Sequence, residues 1–188
     1  MKILLILSLT LLSYSRASFA KEVIGNRHYI ANTLNEIFGK KSVKYTDQFI
    51  TSNIEIFGAP CNIYDQVRIA PDTVKEIKSS CFDRKGNHKA PISPNSSILR
   101  SGYMIKVCKL MTADELLMNE YFMKKGLVST DAFNTSYFLS IYNDFYPYSP
   151  PTEQVIESFK KIHNSSSRSI AWNYVTYALC ISNKWQVI

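Results

Sequence analysis

Apolar residues recur at steps of three and four along most of this chain, which is the period of a helix with one buried face. The first two stretches of this kind cover residues 23–38 and 46–57, and each is followed by a glycine, Gly39 or Gly58. No stretch of useful length alternates with the period of two that indicates a strand. The pattern therefore predicts two amphipathic helices at the start of an all-α fold.

Residues 61–94 interrupt this pattern. Pro71, Gly86 and Pro91 lie within them and predict a long connection with little helix. Helical periodicity then returns in a segment that carries Cys108, and Gly102 inside it predicts a close contact with a second helix. The apolar positions of this segment are Ile98, Leu99, Tyr103, Ile105 and Leu110.

Helix-start residues divide the remainder of the chain into four more helices. Thr112 and Glu115 have the spacing of a capping box, and the helix that they predict ends at Gly126. Ser129 or Thr130 is expected to cap the next helix, and residues 150–153 restart the chain for the one after it. The last helix covers about residues 168–181. The predicted inward residues of the last three helices are Phe138, Ile141, Tyr142 and Phe145, then Val155, Ile156, Phe159 and Ile162, then Ile170, Tyr174, Tyr177, Ala178 and Ile181.

The first twenty residues have the pattern of a secretory signal peptide. Lys2 precedes an apolar run at residues 3–12, and residues 18–20 supply the small side chains that a signal peptidase requires. An uncleaved anchor is the less favoured alternative, because the run is about half as long as a bilayer span. We expect a secreted or periplasmic chain, cleaved near Lys21, without a membrane span. Residues 21–188 then form a single domain, an irregular or orthogonal bundle of about six helices.

Export changes the interpretation of the four cysteines, since thiols oxidise outside the cytoplasm. Cys61, Cys81, Cys108 and Cys180 permit three pairings, of which we favour Cys61 with Cys81 and Cys108 with Cys180. Their spacing lacks the close pair that is typical of a zinc site. The sequence thus predicts two disulfides and neither a metal nor a cofactor.

The charge of the exported chain is moderately basic. Without the leader it carries a net charge of about +5, distributed in small groups such as Lys40, Lys41 and Lys44. Such a surface attracts anionic polymers, and the compartment excludes nucleic acid. The expected partner is therefore another envelope protein or an anionic envelope polymer.

Candidate chemistry is sparse, because the chain contains none of the common catalytic motifs. A peptidoglycan hydrolase, the runner-up function, needs a carboxylic acid of raised pKa beside a second carboxylate. The carboxylates on predicted helices are Glu36, Glu55, Glu115 and Glu120. A more remote alternative is non-covalent haem held by His28 or His163 together with a methionine; otherwise the histidines have surface or capping roles.

Aromatic residues are concentrated near the fifth predicted helix. Tyr137, Tyr146 and Tyr148 remain after its inner face has been assigned, and exposed rings stack on sugars or anchor a partner protein. Trp185 follows the last helix and either seals the end of the bundle, which we favour, or joins these tyrosines. These four residues are the predicted partner contacts.

Three segments carry a resemblance to other proteins. Residues 26–39, residues 57–61 and residues 179–186, together with Leu99 and Arg100 before Cys108, resemble uncharacterised secreted helical proteins of predatory bacteria. The resemblance implies a periplasmic bacterial setting and no catalytic residue. The sequence as a whole predicts a non-enzymatic binding or structural protein of the cell envelope.

Overall fold

The computed structural model describes residues 24–58 and 97–187, and helices dominate both segments. The predicted leader, the connection at 61–94, and both Cys61 and Cys81 lie outside these residues. Within them the only strand-like pairing is an isolated bridge between Ile24 and Val187, so the prediction of an all-α fold is confirmed. The α-helices are α1 (Arg27–Phe38), α2 (Val43–Thr46), α3 (Ile54–Phe57), α4 (Ile98–Ala113), α5 (Glu115–Lys124), α6 (Thr135–Phe145), α7 (Glu153–Ser165) and α8 (Ala171–Ile181).

The first predicted helix is confirmed, whereas the second is divided. Asn26 caps α1 by accepting hydrogen bonds from the backbone N–H groups of His28 and Tyr29 at 3.0 and 3.1 Å. In place of one helix over residues 46–57, the chain forms α2, a π-helical turn at Asp47–Thr51 and then α3. Asn53 Nδ2 donates to the backbone oxygen of Phe49 at 3.0 Å, and such side-chain bonds compete with the helical ladder.

Two of the predicted caps are wrong. Thr112 lies inside α4 and donates to the backbone oxygen of Cys108 at 2.8 Å, so it forms no capping box with Glu115. Asp114 caps α5 instead, and Asn134, rather than Ser129 or Thr130, caps α6. Asp is a stronger N-cap residue than Thr, which accounts for Asp114 in place of Thr112. The helix start predicted at residues 150–153 is confirmed, and Thr152 is the cap of α7.

A disulfide joins α4 and α8 in the core. Cys108 and Cys180 are bonded with their Cα atoms 5.8 Å apart, and both are fully buried. Thr112 of α4 contacts Asn173 of α8 through a hydrogen bond, so the two helices run in opposite directions. The favoured pairing of Cys108 with Cys180 is confirmed.

The buried face of α4 differs from the apolar stripe in the sequence. Met104, Val107 and Met111 are buried beside Cys108, whereas Ile98, Leu99, Ile105 and Leu110 are exposed. Gly102 is also exposed, and a Cβ placed there has no neighbour within 4 Å, so the predicted close helix contact is wrong. The disulfide explains the difference, because Cys108 has to point toward α8.

Asp114 ties the start of α5 to α2. Its carboxylate accepts hydrogen bonds from the Tyr45 hydroxyl at 2.7 Å, from Lys44 Nζ at 2.9 Å and from the backbone N–H of Leu117 at 3.1 Å. These donors, led by the Tyr45 hydroxyl, lower the pKa of Asp114 to about 2. A carboxylate held this way stabilises the folded chain only while it is ionised.

We therefore expect Asp114→Asn to lower the free energy of unfolding by about 1 kcal/mol at pH 7. The expected loss is small because Lys44 is largely exposed, so solvent screens its attraction to the carboxylate. Asn is an equally good N-cap, so the substitution isolates the charge. Since the folded pKa is depressed, the stabilisation is complete above about pH 4 and is lost as the pH falls toward 2. Urea unfolding of both chains at pH 7, 4 and 2.5 checks this, and a difference that does not shrink with acid contradicts it.

Candidate binding cleft

A cleft of 510 Å³ opens where the end of α4 and the start of α5 face α8. One wall carries Lys109 of α4 and Glu115 of α5, and the other carries two tyrosines and an isoleucine of the α8 region. The lining residues are Lys109, Thr112, Ala113, Glu115, Ile170, Asn173, Tyr174 and Tyr177. The cleft thus combines aromatic and aliphatic surface with a few polar groups, as ligand sites generally do.

The α8 wall exists because this helix is apolar on two faces. Trp172, Val175 and Leu179 are buried with Cys180 and form its core side. Tyr174 is 47% exposed and Ile170, just before the helix, is 39% exposed, so the prediction that both point inward is wrong. The sequence of α8 contains both apolar faces. The disulfide and the large Trp172 ring determine which of the two faces packs into the core.

A hydrogen bond fixes the two walls relative to each other. Asn173 Nδ2 of α8 donates to the backbone oxygen of Thr112 at 3.0 Å. That carbonyl lies in the last turn of α4, where a helix leaves carbonyl groups without an internal partner. Asn173 therefore closes the floor of the cleft while using an otherwise unpaired acceptor.

Lys109 and Glu115 supply the charges of the cleft. Both side chains are exposed, and neither forms an ion pair with any described residue or with the other. Asp114 lies between the two helices with an extended backbone, which turns the chain between Lys109 and Glu115. The cleft thus holds one cation and one anion on the same wall.

The four predicted contact residues are dispersed, and two of them are buried. Tyr146 is 8% exposed and donates its hydroxyl to Ser182 Oγ at 2.6 Å. Trp185 is 4% exposed and donates Nε1 to the backbone oxygen of Cys180 at 3.0 Å, so it seals the core as favoured. Tyr137 is half-buried against Trp172, and Tyr148 alone is 96% exposed. None of the four lines the cleft.

The histidines considered as haem ligands lie apart from the cleft. His28 is in the first turn of α1, and it is half-buried. His163 is buried at the end of α7, where its ring packs edge-on against Trp172 at 4.9 Å. Its Nδ1 and Nε2 lie 3.2 Å from Asn164 Oδ1 and from the backbone oxygen of Asp131. His163 is therefore buried rather than on the surface, and it lies in the last turn of α7, at the helix end where a capping role was expected.

The carboxylates considered for hydrolysis are on the surface. Glu36, Glu55 and Glu115 are exposed, and Glu120 forms ion pairs with Lys41 and Lys124, each at 3.2 Å. Hydrogen bonds from these lysines lower the pKa of Glu120. A general acid requires the opposite shift.

Among the described residues, no cluster of three or more histidine, cysteine or acidic side chains has the arrangement of a metal site. The helices within 24–58 and 97–187 are also too short or too polar to cross a bilayer. Comparisons with family models, with curated proteins and with solved structures found no match. The site is therefore interpreted from its own geometry, as a lateral cleft in an all-α, disulfide-joined fold.

Proposed function

We propose that this chain is an exported, non-enzymatic binding protein of the cell envelope and that the cleft is its binding site. The supporting observation is the exposure of Tyr174 and Ile170 in a concave surface, beside a helix whose other face is core. Apolar side chains that remain exposed together in a concavity are typical of ligand sites. No described residue covers these two side chains fully.

The size of the cleft favours a narrow ligand over a flat protein face. Its 510 Å³ falls within the range of about 300–1,000 Å³ that small-ligand sites span. Such a volume accommodates one or two units of a polymer or a short chain segment. Together with the basic charge, this favours an anionic envelope polymer such as peptidoglycan as the partner.

The hydrolase alternative has less support. Where the described carboxylates have a shifted pKa, at Asp114 and Glu120, hydrogen bonds lower it. In the cleft itself Glu115 is the one carboxylate, and it is exposed. Hydrolysis of a glycosidic bond requires a second carboxyl group within about 10 Å, together with an acid of raised pKa.

Co-sedimentation with purified peptidoglycan sacculi tests the proposal. Wild-type protein is expected to sediment with the sacculi and to release no soluble fragments. Tyr174→Ala/Tyr177→Ala is expected to weaken binding at least about tenfold, because both rings lose their contact with the ligand. Tyr148→Ala is the matched control, since Tyr148 is exposed but lies outside the cleft.

Two results separate the alternatives. Release of soluble fragments by wild-type protein favours the hydrolase. Sedimentation that is equal for wild type, the control and the double variant contradicts the cleft as the binding site. Circular dichroism and thermal unfolding of each variant establish that the fold is intact.

A further inference from the structure

We infer that the ligand of the cleft is a short peptide segment that carries both an ammonium and a carboxylate group around an apolar centre. This inference rests on the proposed function, because it names the ligand class of the same site. It follows from the arrangement of charge and apolar surface on the two walls.

The first step concerns the charged wall. Lys109 and Glu115 project from two different helices, and neither is neutralised by a described side chain. A carboxylate near Lys109 and an ammonium near Glu115 satisfy both at once. A neutral glycan satisfies neither charge, and a simple polyanion satisfies only Lys109.

The second step concerns the facing wall. Tyr174, Tyr177 and Ile170 line this wall with two aromatic rings and an aliphatic side chain, and no charged group of α8 is among the lining residues. This wall suits an apolar side chain between the two charged ends of a ligand. Free peptides and the stem peptides of peptidoglycan share this chemistry.

A titration with the tripeptide alanyl-leucyl-alanine, followed by NMR, tests the inference. The N-acetylated tripeptide lacks the ammonium, and the C-amidated tripeptide lacks the carboxylate. The matched variants are Glu115→Gln and Lys109→Met. Both side chains are exposed, so their replacement is expected to leave the fold intact, which thermal unfolding checks.

We expect each neutralisation alone to weaken binding about threefold to fivefold, the effect of an exposed charge pair. Acetylation and Glu115→Gln remove the same contact, so their combination is expected to cost no more than either one. Amidation and Lys109→Met are expected to behave in the same way. The crossed combinations, such as acetylation with Lys109→Met, are expected to multiply.

Three results overturn the inference. The first is equal binding of the free and capped tripeptides, and the second is multiplication of the effects in the matched combinations. The third is sedimentation with sacculi without any response to the tripeptide at millimolar concentration, which leaves the proposed function intact. Failure of both sacculi and tripeptide to bind contradicts both proposals.

Competition identifies the source of the peptide. If the inference holds and saturating tripeptide releases the protein from sacculi, stem peptides are the ligand in the envelope. If the tripeptide binds to the cleft but the protein stays on the sacculi, the cleft takes free peptides and another surface holds the polymer. Either result retains the chemistry inferred for the cleft.

Discussion

Cys108→Ala/Cys180→Ala is expected to lower the free energy of unfolding by about 4 kcal/mol. The disulfide joins residues that are 72 apart in the sequence. In the chain-entropy model, closing a loop of this length lowers the conformational entropy of the unfolded chain by the equivalent of about 4 kcal/mol. Both sulfur atoms are buried, so their removal also leaves space between α4 and α8. Since these helices form the two walls of the cleft, binding is expected to weaken as well.

Urea unfolding at pH 7 measures the loss, and non-reducing mass mapping checks the pairing in the wild type. The same map tests whether the mature chain begins near Lys21 and whether Cys61 pairs with Cys81. A reductant without denaturant is expected to act slowly on the wild type, because the bond is inaccessible. A loss below about 1 kcal/mol in the double variant contradicts the role given to this bond.

Trp172→Ala is expected to lower the free energy of unfolding by about 3–5 kcal/mol, the usual range for deleting a fully buried aromatic ring. The Trp172 ring has no exposed surface and stacks on Phe133 with the ring centres 5.6 Å apart. Its Nε1 donates to the backbone oxygen of Asp131 at 3.0 Å, which holds the segment before α6 against α8. The substitution removes both interactions.

Trp172→Phe is the matched variant, because it keeps an aromatic ring and loses the hydrogen bond. We expect it to cost about 1–2 kcal/mol. Fluorescence reports the unfolding of each variant through Trp185, the second of the two tryptophans. A cost for Trp172→Ala no greater than that of Tyr148→Ala contradicts the placement of Trp172 in the core.

The sequence predicted helix starts and buried faces correctly in the segments where one local interaction determines them. The helix that begins after Asn26 and the one that begins after Thr152 have a strong cap and a single apolar stripe, and both were predicted. The inner face of α6 was also predicted, because Phe138, Ile141, Tyr142 and Phe145 are the buried residues of that helix. In these segments local signals and packing agree.

The sequence failed where a helix offers two apolar faces. Periodicity placed Tyr174 in the core, although α8 buries Trp172, Val175 and Leu179 instead. The buried face is the one that carries Cys180, so the predicted bond to Cys108 indicates it, whereas the apolar periodicity of α8 alone does not. The cleft was missed for this reason, and the surplus apolar stripe of α8 was the signal that indicated it.

Two of the candidate contact residues, Tyr146 and Trp185, are buried, and for Trp185 this is the favoured outcome. Tyr146 follows α6 and lies four residues after Tyr142, which is one helical turn, and its ring packs on Tyr142 with the centres 4.7 Å apart. Trp185 lies in the segment that follows α8, and this segment meets the start of α1. There the Tyr29 hydroxyl donates to the Trp185 backbone oxygen at 3.2 Å. The contact between Tyr29 and Trp185 joins residues that are 156 apart in the sequence and follows from the tertiary fold alone.

The most direct test of the binding cleft is the affinity of Tyr174→Ala/Tyr177→Ala for peptidoglycan sacculi, measured beside Tyr148→Ala and wild type. We expect a dissociation constant raised at least about tenfold for the double variant and unchanged for Tyr148→Ala, with all three chains folded. Equal affinity of the three proteins, or a loss confined to Tyr148→Ala, would contradict it.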